Sequence, residues 1–106
     1  MNTIKKIEEQ IKKNKFLLYM KGSPDYPSCT FSMRAVQIIN LCKVRFAYID
    51  VLKHKDIRIN LPKYSNWPTF PQFWVNCQFI GGYDIMKSLY FEGKLQKMLN
   101  DVIKKN

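Results

Sequence analysis

The chain has no run approaching the roughly 18 apolar residues of a membrane-spanning helix, no internal repeat, no low-complexity segment, and no two cysteines at CxxC spacing. A membrane span, a repeat array, a zinc ribbon and a dithiol redox motif are therefore not expected. Its three cysteines, at 29, 42 and 77, are an odd count and fit no small secreted disulfide framework, so reduced thiols in a reducing compartment follow. The opening Met1-Asn2-Thr3-Ile4-Lys5-Lys6 is charged at once and lacks a signal-like apolar core. A soluble cytoplasmic protein with no membrane partner is expected. Acidic residues are also scarce: 18 Lys and Arg against 8 Asp and Glu leave a net charge of +10. Such a surplus can bind nucleic acid by releasing counterions from phosphate. Here, however, the lysines are spread from Lys5 and Lys6 to Lys104 and Lys105 at spacings that suit solvated helix faces. No nucleic-acid partner is expected.

At 106 residues and 46% hydrophobic content, the chain can form one domain over residues 1–106 with a real core. Ile4, Ile7 and Ile11 recur at helical spacing between Thr3 and Asn14, with Thr3 able to cap the helix. Phe16-Leu17-Leu18-Tyr19-Met20 is too short for a helix and reads as a strand buried on both faces. After the turn-rich stretch from Gly22 to Ser28, an apolar stripe of Phe31, Ala35, Ile38, Ile39 and Cys42 predicts a second helix. Phe46 to Asp50 predicts a second strand, and a short helix around Asp56 to Leu61 follows, ended with the help of Pro62. Phe73-Trp74-Val75 and Gln78-Phe79-Ile80 flank Asn76-Cys77 as a tight hairpin, although Cys is less comfortable than Gly at the second turn position. Helices over Tyr83 to Phe91 and Leu95 to Ile103 complete the chain, divided by Gly93. A helical crossover between two strands makes them parallel and right-handed when they neighbour in one sheet. The expected architecture is α/β: a four-stranded mixed sheet flanked by helices, the thioredoxin-like arrangement.

Cys29 falls where loop becomes helix, and free N–H groups and the helix dipole there favour a thiolate. Pro27 and Ser28 before it and Ser32 after it are not core sequence, which speaks against a buried, inert thiol. One turn on, where a resolving cysteine would attack a mixed disulfide, stands Ser32. Cys42, if on the same helix, lies about 20 Å away at about 1.5 Å per residue, far beyond the Cα limit near 7 Å for a disulfide. Cys42 reads as core, Cys77 as an incidental thiol at a hairpin tip, and His54, among lysines, as solvated. A [2Fe-2S] cluster needs four ligands, and only Cys29 is well placed to supply one.

Four segments then carry a family resemblance: Tyr19-Met20-Lys21-Gly22-Ser23-Pro24, Cys29-Thr30-Phe31-Ser32, Trp67-Pro68-Thr69-Phe70-Pro71-Gln72 and Gly81-Gly82-Tyr83-Asp84. In order and spacing they resemble the monothiol glutaredoxins over nearly the whole chain. The long link from Lys21 to Cys29 and the Trp67-Pro68 pair resemble that class rather than the dithiol one. The resemblance implies a glutathione site at the end of the sheet. Lys21 and Arg58 would hold the glycine carboxylate. The main chain of Phe70, before a cis Pro71, would pair with the glutathione backbone. Gly82 and Tyr83 would offer helix N-terminal N–H groups to the γ-glutamyl carboxylate, with Asp84 taking its amino group and Thr69 contributing a hydroxyl nearby. By sequence alone, Thr69 is equally a turn residue, Phe70-Pro71 an edge turn and Asp84 an ordinary acid in a first helical turn. Thr30 departs from the family's usual Gly and adds branched bulk beside the sulfur.

The resemblance implies a carrier that shares a [2Fe-2S] cluster across a homodimer through both Cys29 thiolates and two glutathiones, passing it to iron-sulfur acceptor proteins and pairing with a BolA-like protein. The alternative is a glutathione-dependent protein disulfide reductase that removes glutathione from protein thiols, with a second glutathione resolving the Cys29 mixed disulfide.

Overall fold

The computed structural model describes residues 2–105, so the two end positions of the domain expected over 1–106 lie outside the described residues. Along them run helix α1 (Thr3–Lys13), strand β1 (Phe16–Met20), α2 (Thr30–Leu41), β2 (Ala47–Asp50), α3 (Lys55–Ser65), β3 (Gln72–Val75), β4 (Gln78–Gly81), α4 (Tyr83–Phe91) and α5 (Lys94–Lys104). The sheet order is β2-β1-β3-β4. β1 and β2 are parallel, from Leu17 opposite Ala47 to Met20 opposite Asp50, while β3 runs antiparallel to both β1 and β4. This is the thioredoxin-like arrangement the pattern of elements predicts.

Period-two alternation divides the core between the faces of the sheet. Leu18, Met20, Phe73 and Val75 face one way, onto Ala35 and Ile39 of α2, Met86 of α4, and Leu95 and Leu99 of α5. Leu17, Tyr19 and Trp74 face the other, onto Ile7 and Ile11 of α1 and Ile57 and Leu61 of α3. All five β1 residues are buried, as a strand covered on both sides requires. The parallel ends of β1 and β2 and the N-termini of α2 and α4 are thereby gathered at one pole of the molecule.

Several local expectations are corrected. Asn2, not Thr3, caps α1: its side chain accepts a hydrogen bond of 2.8 Å from the Lys5 N–H, and Thr3 is already helical, its hydroxyl turned to Asp56. Pro62 does not end α3, which continues to Ser65 and stops at Asn66 in the left-handed region (φ 55°). A proline removes one N–H from the ladder, but Arg58, whose carbonyl lies four residues back, is exposed to water, and Tyr64 of the last turn rests near Trp74, with ring centroids 6.1 Å apart. Phe46 lies outside β2. Phe31 is 51% exposed rather than part of the buried stripe, because its ring lies on the cleft against Tyr83 instead of in the core. The hairpin forms as expected, with Asn76 (φ 50°) and Cys77 (φ 68°) both left-handed, the type I′ geometry that matches strand twist.

Candidate functional site

Between β1 and α2 the chain folds back on itself and delivers Cys29 to the pole. Gly22 turns with φ 88°, and an added Cβ would stand 2.5 Å from the Tyr26 carbonyl and 2.7 Å from the Ser28 nitrogen. Only glycine suits both the conformation and the space. The Gly22 N–H donates to the Asp50 carboxylate (2.9 Å), the Ser28 N–H to the Lys21 carbonyl (3.0 Å), and Ser23 and Tyr26 exchange backbone bonds. These bonds set Lys21 and Cys29 side by side at the mouth of α2.

Cys29 is the N-cap of α2, extended at φ −151°, ψ 134°. Partial burial pushes its thiol up. The N–H groups of Ser32 and Phe31, the Ser32 hydroxyl and the Lys21 ammonium act the other way and prevail, so the thiol lies below the usual cysteine value. Ser32 is fully buried, and its oxygen accepts the Lys21 N–H at 3.1 Å. With its acceptor side so engaged, its own proton is free for the sulfur. Burial alone acts on Cys42 and raises it, while Cys77 is exposed at the hairpin tip. Cys42 is therefore core and Cys29 the one activated thiol among the described residues.

A cleft of about 480 Å³ opens beside the sulfur. One wall is Cys29 with Lys21 and Phe31; another is Arg58 and Pro62 of α3; the third runs from Trp67 through Thr69 and Phe70 to Pro71; Gly82, Tyr83 and Asp84 close it at the start of α4. All eight residues singled out from sequence thus line one cavity, whose size suits a small ligand. The Phe70-Pro71 peptide is cis. Gly82 caps α4, and a Cβ there would come within 3.3 Å of both the Pro71 carbonyl and the Trp67 indole nitrogen, so the wall and the helix start approach each other closely at this glycine. Tyr83 is held by Phe31 (centroids 6.0 Å apart) and by the Arg34 guanidinium 5.9 Å above its ring. Thr30 does not line this cleft. It borders a second hollow, which it shares with Cys29, Pro27 and Met33. His54 is exposed, as expected.

From sequence, Phe31, Pro62 and Trp67 have no site role, and Ser32 has only that of a residue unable to resolve a disulfide. Trp67 lies in a family-like segment, and Phe31 and Ser32 stand two and three residues after Cys29, so proximity is the available signal. Pro62 carries none, since a proline there signals the end of a helix. Among the described residues no three His, Cys, Asp or Glu side chains are grouped to hold a metal ion, and Cys29 is the one sulfur in the cleft. No described helix is long and apolar enough to cross a membrane.

Comparison with known proteins agrees with this geometry. The Glutaredoxin family profile matches residues 16–80, from β1 through the hairpin. The chain is 53% identical over 105 residues to Glutaredoxin 4 of Pasteurella multocida, covering 99% of this chain and 96% of that protein. It is 58% identical over 97 residues to Glutaredoxin 4 of Buchnera aphidicola, covering 92% and 90%. Among solved structures, reduced poplar apo GrxS14 superposes with a TM-score of 0.82 at 34% identity, covering 94% of this chain and 92% of that one. With one activated cysteine at the mouth of α2, a serine where a resolving thiol would stand, and these relatives along nearly its full length, the chain belongs to the glutaredoxin family, in its monothiol branch.

Proposed function

We propose that residues 1–106 act as one cytoplasmic glutaredoxin domain that binds glutathione in the cleft and carries [2Fe-2S] clusters as cargo to iron-sulfur acceptor proteins. The observation that carries the reading is an activated Cys29 at the rim of a cleft that contains no second thiol. The charges of the cleft support glutathione as the ligand: Lys21 and Arg58 suit a carboxylate at one end of an extended peptide, and Asp84 suits an ammonium at the other. Between them, the Phe70 main chain pairs with the peptide backbone, the Thr69 hydroxyl lies alongside, and the Gly82 and Tyr83 N–H groups take the second carboxylate at the α4 N-terminus. A cluster needs four ligands, and this donor set offers Cys29 alone. A homodimer partner supplies a second Cys29, and two bound glutathiones supply the rest. Two of the four ligands are then exchangeable small thiols, which suits release to an acceptor or to a complex with a BolA-like protein. Anaerobic reconstitution with iron, sulfide and glutathione tests this. Cluster absorbance and a doubled mass are expected for the unaltered protein and neither for Cys29→Ala; absorbance that ignores the substitution would sink the reading.

The lowered Cys29 thiol also favours a second activity. Its thiolate attacks the glutathione sulfur of a protein–glutathione disulfide, expelling the protein thiolate. A second glutathione thiolate then attacks the Cys29–glutathione disulfide, giving oxidised glutathione and restoring the Cys29 thiolate. Steady-state turnover of a glutathionylated peptide measures this activity directly, and a carrier shows little.

A further inference from the structure

Only two polar side chains among the described residues are fully buried, Ser32 and Gln72, and each holds one wall of the same cleft. Ser32 does so at Cys29. Gln72 opens β3 opposite Tyr19 of β1, at a position where the strand is buried and an aliphatic side chain would satisfy the core. Instead its carboxamide nitrogen donates to the Trp67 carbonyl at 3.0 Å and to the Thr69 carbonyl at 3.3 Å, using both of its N–H groups. Its oxygen meets no donor among the described residues. Rotating the amide would turn that oxygen onto two carbonyl oxygens, so the orientation is dictated by the loop and by nothing else. The loop from Trp67 to Pro71 has no regular structure and is otherwise tied at its start, where the Trp67 N–H donates to the Pro62 carbonyl at 3.1 Å. An aliphatic side chain would need no partner at this buried position, so what the amide adds is its pair of bonds to the loop.

We propose that Gln72 is a positioning residue for glutathione binding: it clamps the Trp67 to Thr69 carbonyls and so holds the Thr69 and Phe70 wall at the spacing that an extended peptide needs. The inference rests on the glutathione reading of the cleft. Gln72 does not line the cavity, and its effect passes through the loop. Cys29 stands on a different element, at the start of α2, with its own anchors, so the clamp should govern ligand affinity without governing thiol reactivity.

The test measures glutathione affinity by calorimetry and the pH profile of Cys29 alkylation for the unaltered protein, Gln72→Met and Gln72→Glu. Gln72→Met removes both donors at similar volume and is expected to weaken glutathione about tenfold, leaving the alkylation profile in place. Gln72→Glu keeps one donor while its carboxyl is protonated and none once ionised. Its glutathione affinity should therefore approach the unaltered value at low pH and fall as pH rises, relative to the parallel profile of the unaltered protein. Should Gln72→Met fail to fold, Gln72→Glu at low pH carries the test. Unchanged affinity in both variants overturns the proposal, as does an alkylation profile that shifts together with affinity. If the unaltered protein binds no glutathione, the reading of the cleft fails first, and the clamp with it.

Discussion

At Cys29 two opposed effects meet, and their balance decides what the residue can do. Partial burial favours the neutral thiol; the helix-mouth N–H groups, the Ser32 hydroxyl and Lys21 favour the thiolate, and together they win. A thiol held below its unfolded value stabilises the fold above that unfolded value, and the contribution is lost as pH falls through the folded one. Ser32→Ala removes the hydroxyl that receives the Lys21 N–H and faces the sulfur, so the midpoint of Cys29 alkylation should move up in pH, with the rate near neutrality falling several-fold. Rates of iodoacetamide labelling across pH measure it; an unmoved midpoint would mean the backbone N–H groups suffice. The role of Cys29 was legible in the sequence because a turn-rich stretch meets an apolar helical stripe at that residue. The role of Ser32 was only half legible. Its inability to resolve a disulfide follows from its chemistry, whereas its bond to Lys21, eleven residues away in the chain, depends on how the loop folds back.

Among the elements, the loop after β1 has the least tolerance. Gly22→Ala would place a Cβ against the Tyr26 carbonyl at a positive φ, and a loss of about 2 kcal/mol or more is expected from thermal unfolding. Because that loop also orders Lys21 against Cys29, the same variant should lose part of its thiol activation even where it remains folded. Helix α3 shows the opposite tolerance, carrying Pro62 in its interior. Proline reads from sequence as a terminator, since the missing N–H is a local fact. That one lost bond proved affordable because the Arg58 carbonyl lies on a solvated turn and the last turn packs near Trp74. The continuation puts both Arg58 and Pro62 on the cleft. The hairpin turn was legible, as a two-residue loop between strands demands left-handed residues, whereas the register shift between Phe73 and Trp74 was not.

For the molecule as a whole, charge and core act separately. With a formal charge of +10 and only three ion pairs among the described residues, like charges repel across a body measuring 36 × 30 × 24 Å. Raising ionic strength from about 10 to 100 mM shortens the screening length from about 30 to 10 Å, so the melting temperature should rise over that range. A fall on adding salt would show that the paired charges outweigh the unpaired ones. Leu99, fully buried in α5 on the face away from α1 and α3, belongs to the core rather than the cleft. Leu99→Ala should cost about 2–5 kcal/mol in denaturant unfolding while leaving glutathione affinity intact, a separation that calorimetry on the folded variant checks.

The sequence by itself determined the order of elements, the two-faced burial of β1 and the identity of the reactive cysteine, because hydrophobic period, turn chemistry and helix starts are local properties of the chain. It pointed to the cleft residues only through resemblance, since Lys21, Arg58, Thr69 and Asp84 lie on separate segments and no local rule relates them. Tertiary structure decided that all of them face one cavity, that α3 runs on past Pro62, that Phe31 turns outward to Tyr83, and that Gln72 reaches back to two loop carbonyls. Each of these is a contact between segments brought together by the sheet. Such contacts arise from packing across the sheet's end, where parallel strands and the starts of α2 and α4 converge.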